Sequence, residues 1–122
     1  MGIDFDANKP IYQQLVNRIS SEIIRGVRQG GEKLPSVREY ALEAGVNANT
    51  IQRVYRELEN LQIVVTKRGQ GTFITDNHKR LDTLRETMKV EFIQQFIRDM
   101  KDMGFSTQEM VESIQSEGRD KK

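Results

Sequence analysis

The chain has no cysteine, which excludes a disulfide scaffold and any thiolate metal site. Its one histidine, His78, has no second histidine to form a metal pair. No apolar run approaches the length needed to span a bilayer, and no signal-peptide pattern is present. Internal repeats and low-complexity tracts are absent. So are a P-loop, a nucleophile elbow and zinc-ligand spacing. Asp99 and Asp102, one helical turn apart, come nearest to an acid pair, but on so charged a segment they suit a solvated face. An excess of one charge is lacking too. Residues 1–75 carry ten Lys and Arg against eight Asp and Glu, and the remainder nine against ten, for a net charge of +1. That balance excludes a strongly basic, non-specific nucleic-acid binder. The absences together predict a soluble cytoplasmic protein that is not an enzyme, needs no cofactor or metal, and has no membrane partner.

What is present suits one small domain with an appendage. The 122 residues are 36% hydrophobic and 30% charged, enough for a small core but marginal for a monomer. The spacing predicts a helix over about residues 10–27. Pro10 suits its first turn. Ile11, Leu15, Ile19 and Ile23 repeat every four residues, with Val16, Ile24 and Val27 broadening the stripe. Tyr12 and Gln13, near its start, could approach a phosphate but read as scaffold. Gly26, Gly30 and Gly31 mark the loop that follows.

The most informative stretch is residues 34–75. Pro35 blocks a helix from entering, and Ser36 with Glu39 has capping-box spacing. Val37, Tyr40, Ala41 and Ala44 then recur at helical intervals up to Gly45, which suits a left-handed C-terminal cap. Asn47 is a good N-cap for a second helix, with Val46 and Ile51 at hydrophobic-staple positions. Ile51, Val54, Tyr55, Leu58 and Leu61 form its buried stripe. Strands are predicted at Ile63–Thr66 and Thr72–Thr75, joined by the loop Lys67-Arg68-Gly69-Gln70-Gly71. Two helices, a tight turn and a hairpin make a helix-turn-helix with a wing.

The face opposite the stripe carries Asn49, Thr50, Gln52, Arg53 and Arg56, crowded towards the helix start. In a helix-turn-helix this end enters the major groove. There Gln suits adenine and Arg suits guanine, through paired donors and acceptors, while Asn and Thr commonly hold phosphates. Lys67, Arg68, Gly69 and Gly71 put cationic charge and a close-approaching backbone on a protruding loop, which suits a neighbouring minor groove.

The block GEKLPSVREYALEAGVNANTIQRVYRELENLQIVVTKRGQGTFI resembles the N-terminal domain of the GntR family of bacterial transcription regulators. LPS-V-RE, G-V-N-x-N-T, Y-R-E-L and R-G-x-G-T-F-I fall in the family's order and spacing, within about residues 10–75. The resemblance implies a winged helix-turn-helix that binds operators as a dimer. It carries DNA-contact roles onto Ser36, Arg38, Asn47, Asn49, Thr50, Gln52, Arg53, Arg68, Gly69 and Gly71, with Arg38 as the base-contacting arginine. Two departures stand out. Ala48 and Gln52 occupy positions where relatives carry arginine, so the relatives' base preference does not transfer. Gln62 stands where many relatives have glycine, which would strain the chain if that residue is left-handed.

Beyond the wing the composition shifts. Apolar residues at helical spacing predict a helix from His78 to Met103, closed by Gly104. Ser106 and Glu109 form a second capping box, with Phe105 and Met110 as its staple and Val111 and Ile114 on the last helix. The expected fold is therefore mainly α with a small β-hairpin: a winged helix-turn-helix domain over residues 1–75 and a C-terminal αα-hairpin over residues 76–122. So small a tail cannot cover its own stripe, and Leu84, Met88, Phe92, Phe96, Ile97 and Met100 are expected in a two-fold dimer seam. Packing on the winged domain of the same chain is the competing reading. The short tail resembles the YtrA-type subgroup, which implies a dimeric repressor at a palindromic operator near its own operon, in that subgroup often a transport operon. The residues mark no small-molecule effector. The alternative is a non-catalytic protein–protein module using the winged domain and the tail.

Overall fold

The computed structural model describes residues 2–119. Helix α1 (Ile11–Ile24) starts after Pro10, whose ring already holds φ at −59°. It buries Leu15, Val16, Ile19, Ser20 and Ile23. The helix ends before the expected residue 27, because Gly26 turns left-handed (φ 79°) and the N–H groups of Val27 and Arg28 fold back onto the Glu22 carbonyl. Val27 therefore leaves the stripe and is exposed, as is Ile11 at the other end.

Helix α2 (Val37–Ala44) has the expected capping box. Ser36 Oγ accepts from the Glu39 N–H, and Glu39 Oε1 accepts from the Ser36 N–H. Gly45, at φ 73°, closes it in the left-handed conformation. Helix α3 (Ala48–Asn60) follows at once, capped by Asn47, and packs against both α1 and α2. Ile51, Val54, Tyr55 and Leu58 are buried in it, but Leu61 is not. Leu61 is the C-cap, where the helix stops, and is 44% exposed. Gln62 then adopts φ 64°, the one positive φ outside glycine among the described residues. The strain foreseen there is present.

Strands β1 (Val64–Lys67) and β2 (Gly71–Ile74) pair antiparallel, with Val64 opposite Ile74 and Lys67 opposite Gly71. The first strand begins and ends one residue later than expected, and the second one earlier, which leaves a shorter tip. The loop before α2 adds a third edge that was not expected. Lys33 bridges Phe73, the N–H groups of Gly31 and Leu34 donate to the carbonyls of Ile74 and Thr72, and Ile74 N–H donates to the Glu32 carbonyl, all at 2.8 Å. Leu34 is buried beneath it. The N-terminal segment is also ordered. Ile3 N–H donates to the Ala44 carbonyl, and Ile3 and Phe5 pack on the core.

Helix α4 (His78–Asp102) runs from the winged core into a second compact unit, with the division at Arg85. The winged unit thus extends past Thr75, because Leu81 and Leu84 pack against its core. Leu84, expected in a dimer seam, is half-buried by this contact within its own chain. In the second unit Gly104 is left-handed (φ 95°), and Ser106 and Glu109 cap helix α5 (Thr107–Arg119) reciprocally. Met110 is the one residue of this unit buried among those described, while Phe92, Ile93, Phe96, Met103, Phe105, Val111 and Ile114 are exposed.

Candidate DNA-binding surface

The two helix caps decide what Ser36 and Asn47 can offer. Ser36 Oγ accepts the Glu39 N–H at 3.1 Å, and Asn47 Oδ1 accepts the Asn49 N–H at 2.7 Å. Each cap uses an acceptor, and the Asn47 amide protons remain as donors, which is what a phosphate requires. Hydrogen bonds from the Ser36 backbone and hydroxyl hold the Glu39 carboxyl below its usual range. Arg38 projects from the same first turn of α2 and is exposed. On α3, Asn49, Gln52, Arg53 and Arg56 are exposed and Thr50 is half-buried. Arg53 lies with its guanidinium carbon 3.7 Å from the centroid of the Tyr12 ring. Sequence reasoning left Tyr12 as scaffold; its place in the first turn of α1 was visible, but the partner was not.

The wing tip spans Arg68–Gln70, with Gly69 at φ 78° and Gly71 at φ 123°. Lys67 is held 4.7 Å from the Phe73 ring centroid. The Lys33 side chain lies so close to Gly71 that a Cβ there would stand 2.8 Å from Lys33 Cε. Lys33, whose charge the DNA-binding reading needs on the same side as Arg38, Arg53, Arg56, Lys67 and Arg68, therefore adds a cation at the wing base.

A buried brace fixes how α2 and α3 meet. Tyr55 donates its hydroxyl to the Pro35 carbonyl at 2.7 Å, and its ring stacks on Tyr40 with centroids 6.2 Å apart. Burial pushes both phenols up, helped at Tyr40 by the Glu22 carboxylate, so both are neutral at ordinary pH. Glu22 pairs with Arg28 at 2.8 Å. Burial works against the Arg28 charge, but the Glu22 hydrogen bond and charge outweigh it and raise its pKa. Among the described residues, no group of acidic or histidine side chains could hold a metal ion, and no helix is long and apolar enough to cross a membrane.

All twelve residues expected at DNA thus lie in the winged unit: Ser36, Arg38, Asn47, Asn49, Thr50, Gln52, Arg53, Arg56, Lys67, Arg68, Gly69 and Gly71. Of the expected seam, Phe92 and Phe96 are exposed and Met88, Ile97 and Met100 half-buried.

Residues 11–74 match the family model described as bacterial regulatory proteins, gntR family. The chain is 43% identical over 116 residues to the HTH-type transcriptional regulator YhcF of Bacillus subtilis, covering 95% of this chain and 96% of that one. It is 37% identical to the HTH-type transcriptional repressor YtrA of the same organism, covering 98% and 93%. A solved GntR family regulator from Listeria monocytogenes superposes with a TM-score of 0.84 at 38% identity, over 92% of this chain and 98% of that one. The DNA-binding domain of AraR, solved in complex with operator ORX1, aligns with 62% of this chain and 92% of its own at a TM-score of 0.53 and 26% identity. The protein therefore belongs to the GntR family of bacterial transcription regulators, in the YtrA-type layout of a winged helix-turn-helix followed by two C-terminal helices.

Proposed function

We propose that the protein is a dimeric repressor that binds a palindromic operator near its own operon, a transport operon in the manner of its YtrA-type relatives. Two winged units present the start of α3 to successive major grooves. Arg38, Gln52 and Arg53 read base edges. Ser36, Asn47, Asn49 and Thr50 set the register on phosphates, and Arg56 adds charge beside them. Lys67, Arg68, Gly69 and Gly71 reach the flanking minor groove. Phe92, Phe96, Ile97 and Met100, with Met88 at the margin, form the seam between protomers. An occupied promoter excludes polymerase, hence repression.

The observation that carries this reading is the state of the polar groups. The cap of α3 leaves the Asn47 amide protons free as donors, beside exposed Arg38, Gln52 and Arg56. The AraR complex supports it, since a relative's winged domain is seen on its operator. The test is binding to duplexes from the promoter of the protein's own gene at several salt concentrations. A sequence-preferring complex whose affinity falls steeply with salt is expected. Absent or salt-independent binding across every such fragment would instead favour a protein–protein module.

A further inference from the structure

The first turn of α1 holds a side chain that meets the candidate interface directly. The Arg53 guanidinium carbon sits over the Tyr12 ring, 3.7 Å from its centroid, the separation of a stacked pair. Such stacking occupies the π-face of the guanidinium and leaves its in-plane N–H donors pointing away from the ring. Arg53 enters none of the ion pairs among the described residues, so those donors are uncommitted. Tyr12 is itself firmly placed. It is half-buried and packs on the core. Its turn is braced by the Gln14 side chain, which accepts from the Asp6 N–H and donates to the Asp6 carbonyl, both at 2.8 Å, and to the Lys9 carbonyl at 3.0 Å.

We infer that Tyr12 is a positioning residue of the DNA interface: it holds Arg53 as an outward-facing fork for a paired acceptor, either a guanine edge or two phosphate oxygens. An unsupported arginine gives up rotamer freedom when it docks, whereas the stacked one has given it up beforehand. The inference rests on the DNA-binding reading above. Its test is built so that the two can fail separately.

The variants are Tyr12→Phe, Tyr12→Leu, Arg53→Ala and the Leu/Ala double variant. Without DNA, the Arg53 side-chain protons are expected to carry an upfield ring-current shift in the wild type and Y12F and to lose it in Y12L. With a promoter duplex that the wild type binds, Y12L is expected to weaken binding about three- to fivefold, the scale of one cation–π contact. Y12F should stay within about twofold, and in the Arg53→Ala background Y12L should cost nothing more. Substituting 7-deazaguanine singly identifies the acceptor. A loss seen in the wild type but not in R53A assigns a guanine edge, and a shallower salt slope in R53A without any guanine effect assigns phosphate; either supports the fork. The inference is overturned if the ring-current shift is absent, if Y12F is as weak as Y12L, or if the Y12L and R53A losses add. A wild type that binds no promoter duplex overturns the DNA-binding reading and takes the inference with it.

Discussion

At the scale of single residues, position within a capped turn separates function from stability. Arg38 and Glu39 are neighbours in α2, yet Glu39 is committed to the Ser36 cap while Arg38 is free. Arg38→Ala is expected to weaken operator binding by about 1–3 kcal/mol and to relax preference at one base position, measured by fluorescence anisotropy on single-base operator variants. Glu39 should show itself through pH instead. Its carboxyl titrates lower in the folded chain than in the unfolded one, where the ordinary value is 4.5. The stability it contributes is therefore complete above that value and lost as pH falls through the lower folded one. Urea melts of wild type and Glu39→Gln should differ at pH 7 and converge in acid. Gln62, at φ 64°, is a third case. Gln62→Gly should raise stability by up to ~1 kcal/mol in the same assay, since relief of the left-handed strain outweighs the exposed hydrogen bond that Gln62 accepts from Arg80. Such features were legible because they are local. The caps at Ser36 and Ser106 and the turn at Gly45 each need residues only a few positions apart, whereas the strain at Gln62 shows only against the glycine that the family resemblance implies there. The Arg53–Tyr12 stack joins α3 to the far end of α1, and no local pattern announces it.

At the scale of elements, the wing shows where sequence reasoning ran out. Its two strands were visible from their β-branched residues and the glycines between them. The third edge, residues 31–34, reads as loop in the sequence, where Gly26, Gly30 and Gly31 mark it. Its pairing is imposed by β2, whose outer N–H and C=O groups need partners that only a distant segment supplies. The same pairing brings Lys33 against Gly71, so the two wing glycines are not equivalent. At Gly69 (φ 78°) nothing stands near an added Cβ, and Gly69→Ala should cost about 1 kcal/mol, from backbone strain alone. At Gly71 (φ 123°) the backbone is in a region closed to other residues, and the Cβ would also push aside the flexible end of Lys33, at little further cost. Gly71→Ala should therefore cost about 2–3 kcal/mol in urea unfolding and disturb the Lys33–Phe73 bridge in amide exchange. Equal losses at both sites would mean that the φ of Gly71 carries no more strain than that of Gly69.

At the scale of the whole molecule, the question is what covers the second unit. Phe92, Phe96, Val111 and Ile114 leave a large apolar fraction of a short helical segment open to water. A monomer rarely sustains such exposure. In the proposed dimer a second copy satisfies it by symmetry and also serves DNA binding, because two winged units can engage half-sites one helical turn apart. The two consequences are separable by mutation. Phe96→Glu would bury an unpaired carboxylate in the proposed seam and is expected to shift sedimentation from dimer to monomer. Phe96 lies outside the winged unit, so affinity for an isolated half-site should stay unchanged. Affinity for the full palindrome should fall about a hundredfold or more, since the second contact is no longer intramolecular. A variant that sediments as a monomer yet binds the palindrome like wild type would show that the winged units act singly. One that remains a dimer would remove Phe96 from the seam and move the search to Val111 and Ile114, the exposed apolar residues of α5.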